Sequence, residues 1–165
     1  MMRNFLLGVG APDRGWTLME VVIVALMVGI LSAMGFPSFL QMMAKQALKE
    51  DLHEVKGALQ AIQRVAIKKG MACQVTITSH TVQASPAGCL SSAVDLDDST
   101  HLELVNFPGP GLQVSYRGTF HIGGGDNLIL FHHSQTSQKY CLALSEPLGL
   151  LRPGVWSGSI CSARW

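Results

Sequence analysis

Four cysteines, a trio of aspartates, two adjacent histidines and one carboxylate bordering apolar sequence are the residues whose types and spacing could do chemistry. Cys73, Cys89, Cys141 and Cys161 all lie in the C-terminal part, and none forms the C-x-x-C pairing that zinc sites usually need. An even cysteine count in an exported domain points instead to two disulfides. Three pairings are possible. Cys73–Cys89 and Cys141–Cys161 are favoured because each closes a short local loop, contributing roughly 3 kcal/mol apiece on the chain-entropy account. His132 and His133 are consecutive in a strand-like run, so they point to opposite faces and do not chelate one metal easily. Gly123-Gly124-Gly125-Asp126 lacks the following helix, Lys and Ser of a phosphate cradle and reads as a hairpin turn. Asp95, Asp97 and Asp98 lack the glycine and terminal glutamate of a calcium loop, which leaves an exposed acidic loop. Spacing reveals no Ser/His/Asp set and no activated cysteine. The expectation is therefore no enzymatic activity, no cofactor and no metal.

Glu20 is different. It stands at the start of VVIVALMVGILSAMGF, Val21 to Phe36, in which Ser32 is the one polar residue. With Trp16 to Met19 and Pro37 to Leu40 the run reaches the length of about 20 helical residues that spans a bilayer. A carboxylate in such a place is costly and functional by default. A simpler role is also open to it, snorkelling to the headgroups while favouring the helix N-terminus. Pro37 removes a backbone donor and should kink the helix or loosen its preceding turn.

These residues need elements to position them. The chain has 165 residues, room for one domain plus an extension. Its 48% apolar and 14% charged content is too hydrophobic for a typical soluble domain of this size. A net charge of +1 implies no global field for nucleic acid or an acidic partner. Beyond Pro37, Leu40, Ala44, Leu48, Leu52, Val55, Leu59, Ile62 and Ala66 recur at helical steps, with most charges off that face. Lys68, Lys69 and Gly70 then give a stop signal. A helix from about Trp16 to Lys69 would be roughly 80 Å long, against ~30–40 Å for a small domain, so half of it is expected to project.

After Gly70 the period falls to two. Strands are predicted at Cys73–Thr78, Thr81–Ala84, His101–Val105, Leu112–Arg117, Thr119–Ile122, Asn127–His133, Lys139–Leu144 and Val155–Cys161. Turn signals include Ser85-Pro86-Ala87-Gly88, Pro108-Gly109-Pro110-Gly111 and Pro153-Gly154. The fold class is α+β, a long N-terminal helix, half transmembrane and half amphipathic, packed on a C-terminal antiparallel β-sheet or sandwich.

Two processing readings follow. An ordinary signal peptide cut near Ala33-Met34-Gly35 would make Phe36 the first residue and leave a secreted or anchored protein, open to an enzymatic role. Against it, Glu20 interrupts the apolar run and the amphipathic helix would lose its continuation. The other reading is cleavage after Gly15. Arg14-Gly15-Trp16-Thr17-Leu18-Met19-Glu20 followed by VVIVALMVGILSAMGFP resembles the class III signal of type IV pilins and type II secretion pseudopilins. Gly15, Trp16, Glu20 and Pro37 match that pattern in type and spacing. Trp16 stands where Phe or Met is usual, and the leader is longer than in most pilins.

The resemblance implies a leader at 1–15, an apolar membrane and assembly helix at 16–39, an amphipathic half at 40–70 and a β-rich domain at 71–165. It implies that a prepilin peptidase cuts Gly15–Trp16 and N-methylates Trp16. The partners are then that peptidase, the bacterial inner membrane and other pilins or pseudopilins, with the C-terminal domain in the periplasm. Glu20 would pair with the terminal amine of an adjacent subunit and set its axial stagger. In the second half, Gly118-Thr119-Phe120, Asn127 to Phe131, Lys139 to Ser145 and Gly149-Leu150-Leu151-Arg152 resemble the GspH/FimT group. Its members are minor pilins or H-type pseudopilins, associated with filament tips and the start of assembly. Some bind DNA through C-terminal arginines. Here Gly149 and Arg152 match that motif, Leu150 replaces its first arginine, and the domain is slightly acidic, so DNA is an alternative partner rather than the expected one.

Overall fold

The structure, a computed structural model, describes residues 15–123, 127–146 and 148–162, without the side chains of residues 34–37. Predicted features at residues 1–14 and within the glycine run 124–126 lie outside the described residues. The chain divides into two compact units, residues 1–38 and 39–165.

Helix α1 runs over Leu18–Lys69 and includes Pro37. In the second unit its apolar stripe is the core: Ala44, Leu48, Leu52, Val55, Leu59, Ile62 and Ala66 are all buried, joined by Ala58, while Leu40 stays exposed. These positions recur every three or four residues, so one face closes against the strands and the charged face stays wet. The helix ends as the basic residues and glycine predict. Gly70 takes φ +63°. Its N–H donates to Ile67 O at 3.3 Å and that of Met71 to Ala66 O at 3.1 Å, the paired bonds of a left-handed helix terminus.

Among the described residues ten strands follow: β1 Cys73–Ile77, β2 Thr81–Ser85, β3 Val94–Asp95, β4 Thr100–Val105, β5 Gly111–Val114, β6 Phe120–His121, β7 Asn127–His133, β8 Lys139–Ser145, β9 Leu150–Trp156 and β10 Cys161–Ser162. They form two five-stranded sheets, ordered β3-β2-β1-β5-β6 and β10-β9-β8-β7-β4. Every pairing between them is antiparallel. β1 alternates cleanly, with Cys73, Val75 and Ile77 buried and Gln74 and Thr76 exposed, the pattern of a sheet with one dry face. Phe120, Phe131, Ile129, Leu112 and Leu142 complete one core cluster with the helix stripe.

The disulfides are Cys73–Cys89 and Cys141–Cys161, spanning 16 and 20 residues. On the chain-entropy account each contributes roughly 3 kcal/mol.

Three expectations need correction, one of them Val155–Cys161, which is not one strand but the end of β9, a turn and the start of β10. Leu112–Arg117 ends early, at Val114, because Ser115 N–H donates to Thr119 O at 2.9 Å and Gly118 N–H to Ser115 O at 2.9 Å, turning the chain there. Pro153-Gly154 is no turn. Both residues lie inside β9, opposite Leu142 and Cys141 of β8. The true turn comes later, where Ser157 N–H donates to Ile160 O at 3.1 Å. Stepping back from that bonded pair by two residues turns the backbone groups of Val155 and Pro153 toward the same side, away from β8. The missing N–H of Pro153 therefore costs β8 nothing. At Gly154 a Cβ would sit 2.6 Å from Ser162 O and 3.0 Å from Cys161 Sγ, so the crossing disulfide needs glycine there.

Asp51 departs from the apolar logic. It lies half-buried on α1, and neither its Oδ2 nor Thr100 Oγ1 has a well-formed hydrogen bond among the described residues. Burial pushes its carboxyl above the usual aspartate value, Asp97 and Glu50 add to the rise, and the Thr100 hydroxyl and His133 partly offset it. A carboxyl raised in the folded state makes the fold bind protons more tightly than the unfolded chain, so stability falls as pH rises through its range. Asp51→Asn is therefore expected to be more stable than the parent at neutral pH, with the advantage shrinking on acidification. Urea midpoints at neutral and acidic pH check this, and a variant less stable at neutral pH contradicts it.

Candidate functional site

In the first unit the site begins at Thr17. Its carbonyl accepts from Glu20 N–H at 3.1 Å and Val21 N–H at 3.2 Å. Its Oγ1 accepts from Glu20 N–H at 3.3 Å. Thr17 is thus the N-cap and Glu20 the third helical residue, the Thr-x-x-Glu arrangement of a capping box. That signal is present in the sequence but is overshadowed by the apolar run behind it. Glu20 carries its negative charge in the first turn, where the helix dipole favours it.

The described side chains from Trp16 to Ala33 are all exposed in the isolated chain. Trp16 is 71% and Leu18 83% exposed. Over this stretch the helix is long and apolar enough to cross a membrane, and none of that window is buried. Ser32, its polar interruption, donates its hydroxyl to Val28 O at 2.8 Å, so it presents no unpaired group. So large an apolar surface fits lipid or a bundle of like helices, not water. Gly15 lies just before the helix and is exposed.

In the second unit, Gln63 ties α1 to two distant turns. Its Nε2 donates to Gly118 O and Gly149 O, each at 2.8 Å. Gly149, one of the motif residues, has φ +66° and no room for a Cβ, which would lie 2.4 Å from Gly118 O. Sequence reasoning did not single out Gln63, since its two partners lie 55 and 86 residues away.

Arg152 is not the turn residue its neighbourhood suggests. It stands in the middle of β9 opposite Ala143, exposed. It lines a groove of about 540 Å³ with Leu128, Ala143, Trp156 and Ile160, in which it is the one cation. Among the described residues no second cation joins it, and a lone cation makes a weak phosphate site. Asp95, Asp97 and Asp98 are exposed, as expected.

No family model and no curated protein matches the chain. Among solved structures it is similar to the type IV minor pilin FimU of Pseudomonas aeruginosa, with TM-score 0.53 and 13% identity over 72% of this chain and 94% of that one. A second crystal form of FimU gives TM-score 0.48 at 12% identity. The minor pseudopilin EpsH from the Type 2 Secretion System of Vibrio cholerae gives 0.48 at 16% identity, covering 68% of this chain and 96% of that one. With one long N-terminal helix packed on two antiparallel sheets, the chain has the fold of a type IV minor pilin.

Proposed function

We propose that the chain is a minor pilin or pseudopilin subunit that is stored in the inner membrane and then co-assembles into a type IV pilus or a type II secretion pseudopilus, at or near its tip. The observation that carries this reading is the division of labour along α1. One half is buried in the second unit, while the other is apolar, exposed and capped at Thr17–Glu20. On this reading a prepilin peptidase cuts Gly15–Trp16 and methylates the new amine of Trp16, and the β domain lies in the periplasm. The apolar half leaves lipid for a bundle of like helices at little cost, because the two surroundings are similarly apolar. Glu20 then selects the register by pairing with the amine of a neighbouring subunit. The role is structural, helping to start assembly.

N-terminal sequencing of the mature protein tests the reading. The first residue is expected to be Trp16, N-methylated. Phe36 as the first residue would indicate an ordinary signal peptide and remove the assembly helix altogether.

A further inference from the structure

His132 and His133 do point apart, His133 into the core and His132 outward, half-buried. The strand register supplies His132 with a different neighbour. On edge strand β4, His101 lies directly opposite it, with ring centres 5.3 Å apart and planes inclined at 36°. A third imidazole supports His101. Its Nδ1 lies 3.2 Å from His80 Nε2, and His80 Nδ1 lies 3.0 Å from Thr100 O.

The proton positions follow from chemistry. A carbonyl oxygen only accepts, so His80 Nδ1 donates to Thr100 O. Neutral His80 then has Nε2 as its acceptor, so His101 Nδ1 donates to it. Neutral His101 is left with an unprotonated Nε2. A carbonyl–imidazole–imidazole relay of this kind fixes ring orientation and raises ligand basicity, as outer partners do for metal-bound histidines.

We propose that His101 and His132 form a two-imidazole chelate for a divalent ion of the Zn²⁺, Cu²⁺ or Ni²⁺ class, with His80 as the positioning residue. A tetrahedral ion roughly 2.0–2.1 Å from each ligating nitrogen places two imidazole centres about 5 Å apart. The observed separation of 5.3 Å meets that spacing. Imidazole selects these ions over Mg²⁺ and Ca²⁺, which prefer oxygen ligands.

The surroundings agree. Glu103, on the same face of β4, is paired with Lys139 at 3.9 Å. The acidic segment of Asp95, at the end of β3, and Asp97 and Asp98 beyond it runs beside the His80 turn, where Leu96 N–H donates to His80 O at 2.8 Å. All four cysteines are in disulfides, so no thiolate competes for the ion. Among the described residues no group of three or more His, Cys, Asp or Glu side chains is placed to hold a metal. The ion would thus keep open positions for water or for a donor from a docked protein.

The test uses the untagged full chain in detergent, titrated with Zn²⁺ and followed through the imidazole ¹⁵N resonances. His101 and His132 are expected to shift together and saturate at one equivalent, while His53, His121 and His133 stay put. His132→Gln and His101→Gln should each abolish that saturable step. His80→Gln should weaken it by about 10–100-fold without changing the stoichiometry, as loss of an outer-shell partner does. Unchanged binding in His132→Gln would overturn the proposal, as would equal shifts at every exposed histidine.

Discussion

The full chain carrying Glu20→Ala is expected to fold and reach the membrane at parental levels, yet to be depleted at least tenfold from assembled filaments. The size of the effect comes from the surroundings of the carboxylate. Removing one partner of a charge pair buried in an apolar bundle costs roughly 3–5 kcal/mol, because the other charge is stranded there. Folding should be spared for a separate reason. The Thr17 cap is made by the backbone N–H of Glu20, which alanine keeps. Comparing the sheared filament fraction with the membrane fraction by quantitative immunoblot reads the ratio directly. An unchanged ratio would remove the register role and leave Glu20 a headgroup-facing carboxylate.

The largest effect on stability is expected from Gly149→Ala. At φ +66° an alanine is strained by about 1–2 kcal/mol. The added Cβ would lie 2.4 Å from Gly118 O and 3.0 Å from Gln63 Nε2, so the Gly118 turn and the amide must both move. Losing the two Gln63 bonds adds about 1 kcal/mol each, for a total of about 3–4 kcal/mol. Gln63→Ala supplies the control, with only the bond losses. Denaturant unfolding of both variants, followed by near-ultraviolet circular dichroism, gives the two values. Equal losses in the two variants would mean that the backbone of Gly149 carries no special strain.

Much of this architecture is legible in the sequence because it is periodic. The steps from Ala44 to Ala66 identify the buried stripe of α1, and Lys68-Lys69-Gly70 its end. Asn127–His133 is found at its predicted bounds because a continuous apolar run between turns leaves little choice. What stayed hidden is set by contacts distant in sequence. Pro153-Gly154 looks like a turn locally and becomes strand only because β8 and the Cys141–Cys161 bond impose it. Gln63 looks like one more polar residue on a helix. His101 and His80 carry no local signal, since a cross-strand pair exists only once register is set. The Thr17-x-x-Glu20 cap is a local signal that went unread, masked by the apolar run behind it.

The disulfide connectivity carries one more consequence. Cysteines one and two are joined, and three and four, with no crossing. A chain threaded N-terminus first into an oxidising compartment exposes Cys73 and Cys89 before Cys141 and Cys161. Each thiol then meets its native mate as the next cysteine to arrive, so oxidation in order of emergence yields the correct pairs without reshuffling.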